Sequence, residues 1–314
     1  MPRTLAAAAV ALLVGGAAAA APPGTGRWEV RAPMLSERTE VAGAALGGRI
    51  YVVGGFVPEG VTGSLEEYDV ATDTWRRRAP LPLPVHHAAM VATGGRLFVL
   101  GGFTGGWVPL DAVWEYDPAA DRWTARAPMA VARGGLAAAV AGGRIYAISG
   151  TGPDRVDSPT TEEFDPATNT WRRRAPVPTA RNHHAAAVVG GRVYVFAGRI
   201  GGRNLAVTEI YDPASDAWAA GAPVPTARSG IAAAAAGERI YVFGGELGRP
   251  GTYGENEMYD PAANTWSARA PLPTPRHGLA AVTVGERIYV VAGGPRPGLA
   301  YSGVTEVFIP EERR

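Results

Sequence analysis

Hydrophobic and polar positions follow one pattern along the chain, and it is clearest in residues 237–273. Residues 239–243 (RIYVF) are a β-branched and aromatic run that stops at Gly244-Gly245, where two residues without Cβ let the chain turn sharply or approach another backbone. Glu257-Met258-Tyr259 leads into Asp260-Pro261, a turn in which Asp bonds the backbone ahead and Pro cannot continue a central strand. Asn264-Thr265-Trp266 opens a further strand, closed by Ala270-Pro271-Leu272-Pro273. With a first strand in residues 228–236, the pattern predicts one four-stranded antiparallel sheet.

The unit recurs. Trp28, Trp75, Trp123, Trp171, Trp218 and Trp266 are 47, 48, 48, 47 and 48 residues apart. Pairs of small residues give the same series independently: Gly54-Gly55, Gly101-Gly102, Ser149-Gly150, Ala197-Gly198, Gly244-Gly245 and Ala292-Gly293. Four strands in a repeat of this length predict a propeller blade. Residues 26–34 carry the Trp and Ala-Pro of a fourth strand with no preceding three, whereas residues 276–308 supply three strands and no Trp. The prediction is an all-β, six-bladed β-propeller in which the N-terminal strand completes the last blade and closes the ring (blade six is 276–308 plus 26–34).

At these residues the chain resembles the kelch-repeat family. The resemblance rests on an aromatic residue in the second strand (Tyr51, Phe98, Tyr146, Tyr194, Tyr241, Tyr289), the small pair three positions on, an aromatic before Asp (Tyr68, Tyr116, Phe164, Tyr211, Tyr259), and the Trp. It covers nearly everything after residue 26, and it implies fold rather than activity, because kelch propellers host oxidases, sugar epimerases and protein-binding modules.

Residues 1–21, with Arg3, an apolar run over 5–14 and an alanine tract before Pro22-Pro23, read as a secretory signal peptide, leaving 22–314 as the propeller. The apolar run is well short of the roughly 20 residues that span a bilayer. The expected location is secreted or periplasmic, with no membrane span after cleavage. With no cysteine, a cysteine lipoprotein anchor, disulfides and Cys metal sites are excluded. So is copper chemistry of the galactose oxidase type, which in kelch relatives requires a cysteine joined to a tyrosine. A net charge of +1, evenly scattered, argues against a nucleic-acid partner. A monomer without a cofactor is expected.

Comparison between repeats separates scaffold from site. Sixteen residues before each small pair stand Arg38, Val85, Arg133, Arg181, Arg228 and Arg276, expected to begin the first strands. Two residues before the third-strand aromatic stand Glu66, Trp114, Glu162, Glu209, Glu257 and Glu306, and the exception falls in the same blade. The two series are expected to form one structural ion pair per blade, because a buried charge is costly unless paired. A second series, Arg49, Arg96, Arg144, Arg192, Arg239 and Arg287, follows a hairpin turn and reads as scaffold; the runs Arg76-Arg77-Arg78 and Arg172-Arg173-Arg174 read as a solvated edge.

The five histidines, His86, His87, His183, His184 and His277, all lie at the start of a first strand, in blades two, four and six. His87, His183 and His277 are the weak catalytic candidates, suited to proton transfer or to a metal. Against a metal, a six-bladed channel is expected to hold these strands too far apart for ligand bonds of about 2 Å, so none is assigned. The loops between second and third strands should open on the same mouth, and their non-repeating residues are the ligand-binding candidates: Phe103, Trp107, Arg155, Arg199, Arg203, Arg249, Tyr253 and Tyr301. Trp107, directly after Gly105-Gly106 and outside the blade register, is the expected anchor; the alternative folds it back beside Trp114. The favoured reading is a binding module for a protein or glycan. The alternative is a sugar mutarotase resembling the periplasmic kelch epimerases that act on N-acetylneuraminate, which needs only a positioned acid, base and arginine.

Overall fold

Six four-stranded antiparallel sheets follow one another around a ring in a computed structural model that describes residues 25–311. The signal peptide read at residues 1–21 lies outside the described residues. Within a blade the strands run from the axis outward in chain order, as in blade five: Ala232–Ala236, Arg239–Phe243, Asn256–Asp260 and Thr265–Ala268. Blade six is composite. Its three inner strands, Ala280–Val284, Arg287–Val291 and Thr305–Ile309, are completed by Arg27–Arg31, which pairs antiparallel with Thr305–Ile309 so that Trp28 faces Phe308.

The first strands are alanine-rich because they crowd together at the axis. In blade one even alanine is too large at one point, since a Cβ on Gly43 would lie 2.8 Å from that of Ala280. Second-strand residues instead fill the space between blades, with one apolar cluster at each junction; Ile50, Val52, Tyr68 and Trp75 of blade one pack on Val282, Tyr289 and Val291 of blade six. The periodic tryptophans clip the blades together. Each indole N–H donates to the alanine carbonyl of the Ala-Pro in the preceding blade, from Trp75 to Ala32 through Trp266 to Ala222, at 2.8 to 2.9 Å.

Arginine and glutamate of the first two series meet inside each blade that has them. Arg38–Glu66 are 3.3 Å apart, Arg133–Glu162 and Arg276–Glu306 2.6 Å, and Arg181–Glu209 and Arg228–Glu257 also pair, with every guanidinium fully buried. Backbone carbonyls accept further guanidinium protons: Arg276 donates to Ala292, Val290 and Thr274, whereas the Nε of Arg38 and of Arg181 is buried without a partner. These arginines do not begin the first strands, however. Arg38 stands four residues before Ala42–Leu46, in a crossover whose left-handed residue at Glu40 interrupts regular pairing.

The second arginine series ties hairpin to hairpin, for example Arg96 to Asp117 at 2.9 Å and Arg239 to Asp260 at 3.0 Å. The triple-arginine run of blade one is more than a solvated edge. Arg76 and Arg78 both reach the buried Glu67, at 2.6 and 3.3 Å, and Arg78 crosses to Asp121 of blade two at 3.2 Å.

Candidate binding site at the propeller mouth

The site is built on six crossovers that enter the channel. Two residues after each Arg38-type position stand Glu40, His87, Gly135, His183, Gly230 and Gly278, all with φ between 53° and 66°. Their backbones form a ring. The N–H of His87 donates to Glu40 O, Gly135 to His87, His183 to Gly135, Gly230 to His183 and Gly278 to Gly230, at 2.9 to 3.1 Å, and Val41 N–H closes the circle onto Gly278 O at 3.3 Å. Glycine accepts this conformation freely, whereas Glu40, His87 and His183 hold it at a cost of about 1 kcal/mol each or more. Strain at three adjacent titratable side chains marks the place where function is to be sought.

A second ring lies beside the first. The residues that follow the small pairs, Phe56, Phe103, Thr151, Arg199, Glu246 and Gly294, bridge to Thr39, His86, Gly134, Asn182, Ser229 and His277. The mouth is thereby divided into two halves. On the aromatic half, the His86 ring lies 4.1 Å from Phe56 and 5.6 Å from Phe103, and Trp107 lies over it at 4.5 Å. Trp107 remains 51% exposed, so it caps the mouth rather than folding back beside Trp114.

On the ionic half Arg199 donates to Glu246 Oε1 at 2.9 Å and to His183 Nε2 at 2.8 Å. His277 Nε2 stands 3.6 Å from Glu40 Oε1 and 3.5 Å from Glu246 Oε2, and His87 Nε2 is 3.1 Å from Glu40 Oε2. The expectation that the channel is too wide for these histidines to converge is therefore corrected: the His87 and His183 rings are 4.6 Å apart. Convergence follows from the left-handed crossovers, which draw the backbone in to the axis.

Hydrogen bonding assigns the protons of the aromatic half. His86 Nε2 faces Thr104 O at 3.0 Å and must carry hydrogen, so its Nδ1 accepts from His87 Nδ1. His87 Nε2 is then without hydrogen, and its lone pair faces Glu40 Oε2 at 3.1 Å. Environment acts in the same direction. Burial lowers His86 to about 4 and holds His87 well below the usual imidazole range, while burial raises Glu40. His183 gives its Nδ1 proton to Asn182 Oδ1, and burial, with Arg199 adding, keeps it neutral. His184 turns away, donating to Ile148 O at 3.1 Å.

The cavity inside the crossover ring, lined by Glu40, His87 and His183 with the three glycines, is about 110 Å³. The other loop candidates spread outward. Arg155 and Arg203 are exposed and Tyr301 is half-buried. Tyr253 is corrected: it is 5% exposed, with Arg249 stacked 4.0 Å over its ring and held bidentately by Glu255, so both residues brace their own loop. Reasoning from sequence missed Glu40. Aligning the blades two residues past the arginine, where the series reads Glu, His, Gly, His, Gly, Gly, brings it out.

The class defined by these sheets is the six-bladed β-propeller. The family model for the KLHDC2/KLHL20/DRC7 Kelch-repeats domain matches residues 126–294, and that for the Kelch motif matches 37–82 and 84–130. The chain belongs to the kelch-repeat family. No curated protein matches the sequence. Among solved structures it is similar to that of YjhT, with a TM-score of 0.78 at 15% identity over 88% of this chain and 96% of that one, a likeness of fold. No helix among the described residues is long and apolar enough to cross a membrane.

Proposed function

We propose that the mouth is a recognition surface for an extracytoplasmic protein or glycan. One observation carries this reading. Of the seven exposed large apolar side chains among the described residues, five (Trp107, Val108, Val156, Ile200 and Leu299) stand on the loops between second and third strands, around one mouth. Exposed apolar groups gathered on one face mark interaction sites, and Trp is the residue most often found at their energetic centre. The cavity beneath, at about 110 Å³, is below the roughly 300–1,000 Å³ of small-molecule pockets. Its charged groups are engaged with one another. An N-terminal leader would deliver the chain to such partners. The test is surface plasmon resonance of the mature protein over immobilised envelope proteins and glycan arrays. A binder lost in Trp107→Ala and Leu299→Ser supports the reading; a binder indifferent to both overturns it.

A second reading, sugar mutarotation, is favoured by the chain from Glu40 through His87 to His86, which joins an acid to neutral imidazoles. Mutarotation of N-acetylneuraminate that disappears in Glu40→Gln would support it, and absence of turnover in the wild type would remove it.

A further inference from the structure

We propose that Glu40, Glu246 and His277 bind a divalent transition-metal ion of the zinc type at the centre of the mouth, with the fourth position left to water or an exogenous ligand. The donor atoms of Glu40, Glu246 and His277 all lie within 4.8 Å of one another. Zinc bonds of about 2.0–2.1 Å in a tetrahedron set neighbouring ligand atoms roughly 3.4 Å apart. His277 Nε2 stands 3.5 Å from Glu246 Oε2 and 3.6 Å from Glu40 Oε1. Both separations from His277 fit that spacing, and the three donor atoms form one mutually close group.

The His277 imidazole is also held as a metal ligand is held. His277 Nδ1 donates to Gly294 O at 3.1 Å, which leaves the Nε2 lone pair facing the carboxylates. Outer partners of this kind set the tautomer and the ring plane of ligating histidines.

Charge selects the ligand set. Glu40, His87 and His183 form a second group of three, but Arg199 donates to His183 Nε2 and so occupies the lone pair a metal would need. The same arginine takes Glu246 Oε1, while Oε2 accepts from Gly298 N–H at 3.3 Å and faces His277 at 3.5 Å. Two carboxylates against one guanidinium leave the cluster short of positive charge. An imidazole and two carboxylates without sulfur favour Zn²⁺, Co²⁺ or Ni²⁺ over Ca²⁺ and Mg²⁺, which take oxygen.

The test uses tag-free mature protein stripped with chelator, then equilibrium dialysis against Zn²⁺ and Co²⁺. The five histidines all belong to the mouth region, so no distant imidazole confuses the count. The expected result is one ion per chain, the intense visible absorption of four-coordinate cobalt, and a melting temperature raised by several degrees. His277→Ala and Glu246→Gln should weaken uptake about 100-fold, and His184→Gln should leave it unchanged. Glu246→Gln preserves shape, so it decides the matter if His277→Ala does not fold. Absence of stoichiometric uptake in the wild type, or uptake undiminished in Glu246→Gln, overturns the proposal.

Discussion

Trp28 donates its indole N–H to the carbonyl of Ala270, 242 residues further along the chain, at 2.9 Å. Its ring packs on Phe308 at 5.1 Å and on Phe243 at 5.9 Å, so one side chain fastens the outer strand of blade six to blade five. Trp28→Ala is expected to cost about 3 kcal/mol in urea unfolding. Deleting residues 22–35 removes the strand as well and should lower the melting temperature further. A deletion variant that melts with the full chain would show that closure contributes nothing.

Arg133→Ala should destabilise by about 3–5 kcal/mol, because Glu162 is left buried without its partner at 2.6 Å. Arg133→Met combined with Glu162→Leu should recover part of that loss. Recovery stays incomplete because Ser149 and Thr160 carbonyls lose the donor they share on Arg133 Nη1. Blade two, with Val85 and Trp114, already manages without the pair. A single variant as stable as wild type in chemical denaturation would contradict the pairing argument.

Acid should weaken the fold through His184. Burial, with Arg181 adding, lowers its pKa from 6.5 to about 3, so the folded chain keeps this ring neutral while the unfolded chain takes up a proton below about pH 6.5. The unfolded state binds more protons in that window, and stability therefore falls as pH drops from 6.5 toward 3. At pH 4.5 the loss is roughly 3 kcal/mol. In His184→Gln the stability curve should be flatter over this range; an unchanged slope would assign the acid sensitivity elsewhere.

Two glycines separate backbone conformation from crowding. Gly285 and Gly278 have φ of 61° and 60°, but a Cβ on Gly285 meets nothing within 4 Å, whereas one on Gly278 lies 2.6 Å from Thr39 Oγ1 and 2.7 Å from Glu40 N. Gly285→Ala should cost about 1 kcal/mol and Gly278→Ala distinctly more. Equal costs in thermal unfolding would mean that the crossover ring relaxes around the added methyl.

The scaffold is legible in the sequence because its parts recur. Trp218 and Trp266 make the same bond in successive blades, and so do Arg228 and Arg276 with their glutamates, so comparing repeats reveals the role of each. The mouth does not repeat. Its convergence depends on a left-handed backbone at Glu40, His87 and His183, residue types that do not announce it. Only the glycines at the equivalent positions of blades three, five and six hint at that conformation. Glu40 also stands in a blade with no histidine, and Tyr253 is withdrawn from the surface by Arg249 stacked over it.

The crossover ring also imposes a rule of exchange on the mouth. Main-chain groups carry its hydrogen bonds, and at Gly135 and Gly230 the space a side chain would enter is held most closely by neighbouring side chains and not by the ring's backbone. The room beside Gly135 is taken by His183, and that beside Gly230 by His277 and Glu246, each within 3.3 to 3.4 Å of where a Cβ would stand. A blade that gains a side chain here obliges a neighbour to shrink. Specificity in this propeller can therefore drift by paired swaps around the circle, large for small, while the length and spacing of every repeat stay the same.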